Sequence, residues 1–306
     1  MDIITEVNNI TVKDGSALTF GNFDGVHLGH QALIKDMVQR TREQNLESIL
    51  VTFNPHPQTV LDENCKRRFL LQSFRDRLEK IKKLGVDKVV CIKFDKNFSK
   101  IEPIEFIKIL VKNYFPKYIF SNKNNYFGYK KRGDLDLLLK YSKKMNYNVI
   151  DVEYIKKSNK IISSSLIRGM VEKGDLLTVK KLLGRNLEIE GKVVRGSGIG
   201  SKIGFPTANL EISEMVMLPN DGVYYVKVVE GKEVFSGMCN IGFRPTIGSQ
   251  KNRCIEVHLI NKEGIDLYGK KIKIIIIKFI RNETKFNSME ELKGQLIIDK
   301  ELCLKY

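Results

Sequence analysis

The stretch Gly21–His30, which reads G-N-F-D-G-V-H-L-G-H, carries the residues best suited to chemistry on phosphate groups. It follows the apolar run Ala17–Phe20, and two of its glycines, four residues apart, lack the Cβ that would obstruct a tight turn from strand to helix. A helix beginning near Val26 would place the imidazoles of His27 and His30 on one side of its first turn. Imidazole and backbone N–H donors at the positive end of a helix favour a bound anion. The stretch therefore predicts a phosphate-binding turn rather than a glycine turn with two incidental histidines.

A second candidate for phosphate binding is Ser163–Arg168, which reads S-S-S-L-I-R. The hydroxyls of Ser164 and Ser165 at a helix start can hold a triphosphate, and Arg168 one turn later adds a bidentate positive group. A simple helix cap with a surface arginine is the alternative. The presence of Gly21–His30 in the same chain favours the phosphate interpretation.

The loop Thr52–Pro57, T-F-N-P-H-P, ends a predicted strand and is stiffened by its two prolines. Asn54 and His56 are able to point from this loop into the same crevice as the first motif. A rigid turn with a solvated His56 explains that residue equally well.

The second half of the chain contains another glycine-rich stretch, Gly196–Asn209, which reads G-S-G-I-G-S-K-I-G-F-P-T-A-N. Its glycines allow backbone N–H groups to close over phosphates, and Pro206 then fixes the chain. The hydroxyl of Thr207 and the amide oxygen of Asn209 are hard ligands suited to Mg²⁺.

Glu256 lies inside the apolar strand Ile255–Leu259. If this carboxylate lies at the interior or mouth of a barrel, a functional role is expected, and one such role is that of a general base that removes a proton from an alcohol. An outward-facing glutamate on an alternating strand is the other interpretation, and the strand alone leaves both open.

The elements that must position these residues fall into two patterns. From Ala17 to about Val152, short apolar runs alternate with helical spacing, which predicts a parallel sheet wrapped by helices, with ligands at the carboxyl ends of its strands. The predicted strands are Ala17–Gly21, Ser48–Phe53, Lys88–Ile92, Lys117–Ser121 and Asn148–Val152, and the predicted helices follow Gly25, run from Ser73 to Gly85, and cover Pro103–Val111 and Asp134–Met145.

Near Leu182–Asn186 the pattern changes to strands without intervening helices, which predicts an antiparallel barrel. Its expected strands are Leu187–Val194, Gly222–Val229, Glu233–Ile241, Ile255–Leu259 and Lys271–Ile280. A capping box of Ser288 and Glu291 predicts a final helix with Leu292, Leu296 and Leu302 on its buried side. We therefore expect two domains, residues 1–184 and residues 185–306.

The composition is that of a globular protein with a basic bias. Lys and Arg exceed Asp and Glu by 52 − 36 = +16 over 306 residues, but they are spread along the chain, so attraction of small polyanions explains the charge as well as nucleic acid does. The five cysteines (Cys65, Cys91, Cys239, Cys254 and Cys303) are scattered and predict neither a disulfide framework nor a zinc site. No apolar run approaches the roughly 18 residues of a membrane span, and no basic start with an apolar stretch opens the chain, so we expect a cytoplasmic protein that does not need a membrane.

The first motif resembles the G-x-F-D-G-x-H-x-G-H signature of the nucleotidyltransferase superfamily. Nearly the whole chain is similar to the prokaryotic bifunctional riboflavin kinase/FAD synthetase family. In the first half, T-F-N-P-H-P, F-G-x-K-x-R-G-D and S-S-S-L-I-R also match; in the second half the matches are G-F-P-T-A-N, L-P-N-D-G-V-Y, N-I-G-F-R-P-T, E-V-H-L, D-L-Y-G and I-R-N-E-T-K-F. The resemblance implies an α/β, Rossmann-like FMN adenylyltransferase domain, followed by a Greek-key-type antiparallel β-barrel riboflavin kinase domain with a C-terminal helix.

By this resemblance, the second domain phosphorylates riboflavin to FMN with ATP, releasing ADP, and the first domain adenylylates FMN to FAD, releasing pyrophosphate. Mg²⁺ accompanies ATP, and neither a tightly bound metal nor nucleic acid is expected. The implied catalytic residues are Glu256, His27, His30 and Arg168, and the implied metal ligands are Thr207 and Asn209. The implied ATP or phosphate contacts are Gly21, Phe23, Asp24, Gly25, Asn54, Ser164, Ser165, Gly198, Gly204 and Pro206, and the implied flavin contacts are Asn124, Arg281 and Phe286.

One segment departs from the family pattern V-G-x-[DN]-F. Asn124 fits the Asp/Asn position, but Asn122 stands in place of glycine and Asn125 in place of phenylalanine. We expect FMN to bind the first domain more weakly as a result.

Two other functions stay open at this point. A cytidylyltransferase fused to an unrelated barrel keeps the first motif but leaves the kinase motifs unexplained. A flavin-sensing or RNA-binding protein without catalysis explains the positive charge, and it predicts salt-sensitive nucleic-acid binding and no turnover.

Overall fold

The computed structural model describes residues 1–4, 12, 14–62, 68–157, 160–196, 198–213, 215–243, 253–262 and 265–306. By its internal contacts the chain divides into two compact units. One comprises Met1–Arg67 and Phe74–Ser164, and the other comprises Arg68–Ser73 and Ser165–Tyr306. A boundary between independently folding domains at residue 184 stays a prediction.

The first unit contains a six-stranded parallel sheet of order β1-β4-β3-β2-β5-β6. Its strands are β1 (Asp2–Ile4), β2 (Ser16–Phe20), β3 (Glu47–Asn54), β4 (Lys88–Lys93), β5 (Pro116–Ser121) and β6 (Asn148–Asp151). The strand order reverses between β2 and β5, which is the switch point where ligands of open α/β sheets bind. A small hairpin of β7 (Lys156–Lys157) and β8 (Lys160–Ile161) follows.

Helices cover the sheet because its strands are apolar on both faces. They are α1 (Leu28–Glu43), α2 (Pro57–Leu61), α3 (Phe74–Lys83), α4 (Pro103–Tyr114) and α5 (Leu135–Ser142). Leu18 and Phe20 of β2 pack with α4 residues such as Phe106 in one core, whereas Ala17 packs with α1 residues such as Met37 in the other. The predicted layers are confirmed as a Rossmann-like arrangement, and α6 (Ser164–Glu172) and α7 (Leu176–Leu183) then lead into the barrel sequence.

The second unit contains a closed antiparallel barrel of order β10-β13-β12-β11-β14-β9. Its elements are β9 (Leu187–Val194), α8 (Ile199–Lys202), β10 (Ala208–Glu211), β11 (Gly222–Glu230), β12 (Glu233–Phe243), β13 (Arg253–Leu259), β14 (Lys271–Arg281) and α9 (Met289–Cys303). The meander β11-β12-β13 with β14 returning beside β11 is a Greek key. Five strands agree with the predicted ones, and the sixth, β10, begins in the last two residues of the segment interpreted as a loop with metal ligands.

The final helix begins as predicted, because Ser288 Oγ accepts the Glu291 N–H at 3.1 Å. Its fully buried residues, however, are Asp299 and Cys303, whereas the three leucines expected on the buried side are half-buried.

None of the described helices has both the length and the apolar character that crossing a bilayer requires. The four described cysteines are free thiols, and Cys65 and the Arg244–Thr246 part of the N-I-G-F-R-P-T motif lie outside the described residues.

Candidate active sites

The Gly21–His30 segment, called here the phosphate loop, leaves β2 at the switch point of the sheet. Phe23 and Val26 have left-handed backbones, with φ of +50° and +37°, although neither is glycine, and both are buried. The Val26 N–H closes the turn onto the Phe23 carbonyl at 3.1 Å. Such conformations cost on the order of 1–3 kcal/mol each and persist only where the surroundings enforce them. The loop therefore has one imposed shape.

The two histidines lie at the start of α1. The helix begins at Leu28, two residues later than the motif predicted, and His27 is its N-cap, with Nδ1 accepting the His30 N–H at 3.3 Å. The two imidazole rings stack with 3.6 Å between centroids. Because Nδ1 of His27 accepts, the neutral ring carries its proton on Nε2 and can donate from there.

His30 is held in its neutral form. Burial, the neighbouring His27 and the Arg77 guanidinium together lower the pKa of His30 well below 6.5. Its Nδ1 is buried and has no hydrogen-bond partner among the described residues. A neutral imidazole with one uncommitted polar atom suits a ligand that brings its own hydrogen-bonding groups.

Three side chains hold the carbonyls of the phosphate loop. Arg77 Nη1 donates to Asn22 O at 2.5 Å, Ser164 Oγ donates to Asp24 O at 2.8 Å, and Gln31 Nε2 donates to Val26 O at 2.8 Å. The Ser164 bond places the Ser164 hydroxyl against the first motif, and its expected role toward phosphate stays a prediction. Since a trans peptide places its C=O and N–H on opposite sides, fixing these carbonyls also fixes the directions of the following N–H groups.

The next two residues of that motif belong to the second unit. Ser165 is exposed on α6. Arg168 is half-buried, its Nε donates to Phe69 O at 2.7 Å, and its guanidinium lies 5.6 Å from the Phe69 ring centroid.

The T-F-N-P-H-P segment ends β3 and starts α2. Asn54 is exposed at the end of the strand. His56 is buried and caps α2, with Nδ1 accepting the Gln58 N–H at 3.2 Å, so it is a structural cap and not a solvated side chain.

The segment that departs from the family pattern has its own hydrogen bonds. Asn122 Oδ1 accepts the Asn124 N–H at 3.1 Å, and the Asn124 side chain is exposed. Asn125 Nδ2 donates to Phe20 O at 3.1 Å and to Ser121 Oγ at 3.2 Å. Asn125 therefore links the carboxyl ends of β2 and β5 at the switch point, a role that no sequence motif indicates.

The glycine loop, Gly196–Thr207, uses glycine where other residues would not fit. Gly198 and Gly204 have φ of +73° and +85°. A Cβ on Gly200 would collide with the Phe205 carbonyl oxygen, and the Phe205 N–H returns to Gly200 O at 2.8 Å. A Cβ on Gly196 would occupy the place of the Asn209 amide group.

Asn209 and Glu256 are directly opposite each other on β10 and β13, and Glu256 is also opposite Asn240 on β12. Glu256 is half-buried and alternates with the buried Ile255 and Val257, so it shares a barrel face with the two asparagines rather than with the interior residues. Directly opposite residues have Cβ atoms roughly 4.5–5.5 Å apart, which brings the predicted base and the predicted metal ligand together. Asn240 in turn donates to Glu283 Oε1 at 3.0 Å.

His258 anchors the end of the glycine loop. Its Nδ1 donates to Pro206 O at 2.9 Å, since a carbonyl can only accept, and its ring lies 5.1 Å from that of Phe205. Burial lowers the pKa of His258. Beside it lies a cavity of about 880 Å³ whose lining includes Gly204, Pro206, Thr207 and the ammonium-bearing Lys262 and Lys300.

The predicted flavin contact at the end of β14, Arg281, is bonded to α9. Arg281 forms a bidentate pair with Asp299, with Nε–Oδ1 at 2.8 Å and Nη2–Oδ2 at 2.7 Å. Gln295 also donates to this fully buried carboxylate, at 2.9 Å. The Phe286 ring centroid lies 5.8 Å from the guanidinium carbon of Arg281. The edges of Arg281 are thus largely committed, and its role toward flavin stays a prediction.

Comparison with known proteins matches two family models to successive parts of the chain. The family model for FAD synthetase matches residues 9–166, and the model for riboflavin kinase matches residues 183–306. The bifunctional riboflavin kinase/FMN adenylyltransferase of Buchnera aphidicola (subsp. Schizaphis graminum) is 37% identical over 100% of this chain and 99% of its own length. The enzyme of that name from Escherichia coli K12 is 34% identical over 98% and 96% of the two chains.

A solved structure also matches throughout. The crystal structure described as a macrolide-efflux protein from Streptococcus pneumoniae has a TM-score of 0.89 and 29% identity, and the match covers all of both chains. With two family models in the same order as the two site-bearing units, and relatives matched end to end, this chain belongs to the family of bifunctional riboflavin kinase/FMN adenylyltransferases.

Proposed function

We propose that this enzyme, which phosphorylates riboflavin with ATP and adenylylates the resulting FMN to FAD, performs adenylyl transfer at the phosphate loop and phosphorylation at the barrel face of Asn209 and Glu256. The hydrogen bond from Ser164 to Asp24 supports the first assignment, because it joins two motifs 140 residues apart into one anion-binding turn. The register of Asn209 opposite Glu256 supports the second.

In FAD formation, a phosphate oxygen of FMN attacks the α-phosphorus of ATP, and the bond from that phosphorus to the bridging oxygen breaks as pyrophosphate leaves. His27 donates its Nε2–H to the charge that develops on the phosphate oxygens, and the neutral His30 beside it keeps the pair from becoming doubly charged. Gly21, Phe23, Asp24, Gly25, Asn54 and Ser164 contribute the remaining ATP contacts in this proposal, and the expected roles of Ser165 and Arg168 stay predictions from the family resemblance. Asn124 contributes to the flavin side.

In FMN formation, the ribityl 5′-hydroxyl attacks the γ-phosphorus of ATP, its proton passes to the Glu256 carboxylate, and ADP leaves. Thr207 and Asn209 would hold Mg²⁺, and the glycine at position 196 leaves the room that the Asn209 amide needs for this. When bound, the ion neutralises phosphate charge during transfer. Gly198, Gly204 and Pro206 enclose the ATP phosphates, and Arg281 and Phe286 offer flat faces to the flavin ring.

We place the reactions in the cytoplasm, where ATP is made and used, with Mg²⁺ bound together with ATP rather than held permanently.

One set of incubations tests both assignments. The wild-type chain and the variants His27→Ala/His30→Ala and Glu256→Gln are supplied with riboflavin, ATP and Mg²⁺, and the flavins are separated chromatographically. The double histidine variant should accumulate FMN and lose FAD synthesis by about 10²-fold or more. Glu256→Gln should lose FMN formation by about 10²- to 10⁴-fold while still adenylylating added FMN. Unchanged FAD synthesis in the first variant, or unchanged kinase turnover in the second, would refute the corresponding assignment.

A further inference from the structure

Arg77 is a buried cation under the phosphate loop that none of the sequence motifs includes. It lies on α3, is 4% exposed, and packs its guanidinium carbon 4.9 Å from the Phe74 ring centroid. Its two terminal nitrogens reach two separate segments: Nη1 donates to Asn22 O at 2.5 Å and Nη2 donates to Phe53 O at 2.9 Å.

These two carbonyls come from two neighbouring segments at the carboxyl edge of the sheet. Asn22 is in the phosphate loop after β2, and Phe53 is the next-to-last residue of the neighbouring β3, inside T-F-N-P-H-P. A planar guanidinium donates in two fixed directions at once, so Arg77 sets the spacing of the two segments as well as their orientation. A lysine at the same place has one charged centre and cannot hold both carbonyls in that geometry.

The charge of Arg77 also acts on the site. Burial lowers the pKa of Arg77, and the carboxylate of the buried Asp24 opposes that shift. The guanidinium is in turn one of the groups that keep His30 neutral. Its Nε is buried and has no hydrogen-bond partner in the part of the chain that the structure describes, which makes the burial of this side chain costly for stability alone.

We infer that Arg77 is a positioning residue for adenylyl transfer: it fixes the phosphate loop against the end of β3 and adds positive charge beneath the bound phosphates. This inference rests on the phosphate loop being the adenylyl-transfer site. A displacement of about 1 Å in such a loop is enough to cost on the order of 10²-fold in rate.

Three variants of the full chain separate geometry from charge. Arg77→Lys keeps the positive charge but loses the planar guanidinium that donates to two carbonyls, Arg77→Met loses both, and Arg75→Met is the matched control. Arg75 lies two residues away on the same helix, is exposed, and pairs with Glu79 of that helix at 3.2 Å. Each variant is assayed for kcat and KM of FAD formation from FMN and ATP, for FMN formation from riboflavin, and for the pKa of His30 by NMR of its imidazole.

We expect kcat for FAD formation to fall about 10²-fold in Arg77→Met and about tenfold in Arg77→Lys, with FMN formation unchanged in both. The pKa of His30 should rise in Arg77→Met and stay in place in Arg77→Lys and Arg75→Met, which separates the loss of charge from the loss of geometry. A folded Arg77→Met variant with the kcat of Arg75→Met overturns the inference, whatever the pKa of its His30. If Arg77→Met does not fold, an Arg77→Lys variant with unchanged kcat and KM overturns it by itself.

The variant His27→Ala/His30→Ala distinguishes a failure of the proposed adenylyl-transfer site from a failure of the role inferred for Arg77. If it retains FAD synthesis, the assignment of the phosphate loop fails. If it loses FAD synthesis while both Arg77 variants remain fully active, only the role of Arg77 fails.

Discussion

The phosphate loop and the glycine loop, both of which we propose to bind phosphates through backbone N–H groups, hold their backbones by different means. In the phosphate loop, non-glycine residues adopt left-handed conformations, and the carbonyls of Asn22, Asp24 and Val26 are tied to side chains from three other positions. In the glycine loop, the left-handed positions are glycines, several residues are exposed, and the described anchor at its end is the bond from His258 to Pro206 O.

This difference in backbone support predicts a difference in the entropy that each loop would lose on binding its proposed nucleotide. A loop whose carbonyls are fixed before ligand arrives presents donors in place and loses little entropy on binding. A glycine-rich, exposed loop keeps the freedom to fold over its ligand but must lose that freedom when it does so. The predictions below test this contrast, from the largest expected effect to the smallest.

The pair of Arg281 and the buried Asp299 joins the end of β14 to α9. Asp299 is fully buried, so Arg281→Met leaves its carboxylate with Gln295 as the remaining hydrogen-bond donor that we identify. Leaving one partner of a buried pair uncompensated costs about 3–5 kcal/mol, and we expect that loss in the free energy of unfolding of the barrel. Urea unfolding followed by circular dichroism measures it. The double variant Arg281→Met/Asp299→Leu should recover much of the loss, and failure to do so would show that Arg281 acts through something other than this pair.

Gly200 tests whether the shape of the glycine loop matters to catalysis. The Cβ of Gly200→Ala would collide with the backbone carbonyl of Phe205, so the loop must shift, and we expect riboflavin phosphorylation to fall about 10²-fold with FAD synthesis from added FMN unchanged. Gly294→Ala in α9 is the control, because nothing lies within 4 Å of its added Cβ. Gly294→Ala should leave both steps intact. Full kinase activity in Gly200→Ala would show that the loop adapts without loss.

The two buried histidines, His30 and His258, should make the stability of the protein depend on pH. Burial is the main cause that lowers the pKa of both. His27 and Arg77 lower the pKa of His30 further, whereas at His258 the hydrogen bond to Pro206 O raises the pKa and the Lys300 ammonium lowers it, so the pKa of His30 lies further below 6.5. The unfolded chain therefore binds protons that the folded chain does not, and stability is lost as the pH falls below about 6.5 toward the folded pKa of each histidine. The loss per group is at most about 1.4 kcal/mol per pH unit.

We expect the free energy of unfolding to fall between pH 7.5 and pH 5.5, and His30→Gln to flatten this dependence more than His258→Gln does. Urea unfolding at several pH values checks it. An equal flattening in both variants would remove the electrostatic distinction between the two sites.

The sequence predicted the architecture because the features that specify it are local. Continuous apolar runs such as Ser48–Phe53 indicate buried parallel strands, and a cap such as Ser288 marks a helix start. The strand Ala208–Glu211 was missed because its residues also form a motif, and a four-residue strand has too little alternation to be seen beside it.

The support of the sites was less predictable. Arg77 lies in a helix with six other charged residues and carries no local sign that it is buried, since its role depends on carbonyls 24 and 55 residues away along the chain. The same holds for His258, which looks like any residue on an alternating strand until its bond to Pro206 is known. Motifs identify groups that contact substrate, whereas the groups that hold those motifs in place depend on tertiary contacts.

The smallest effect concerns Asn125, where the chain departs from its family. The Asn125 amide bonds the ends of β2 and β5, and Asn125→Phe would exchange those two hydrogen bonds for an aromatic face at the switch point. Each lost bond costs about 1 kcal/mol of stability, whereas an apolar contact of about 1.4 kcal/mol lowers the dissociation constant of FMN roughly tenfold. We therefore expect Asn125→Phe to bind FMN about tenfold more tightly in the adenylyltransferase step, to unfold at a lower temperature, and to leave the kinase step unchanged. Asn125→Ala, which loses the bonds without adding a ring, should unfold earlier with no gain in affinity. Steady-state titration of FMN at saturating ATP compares the three proteins. Equal FMN affinity in Asn125→Phe and Asn125→Ala would mean that this loop holds the strands together and does not contact the flavin.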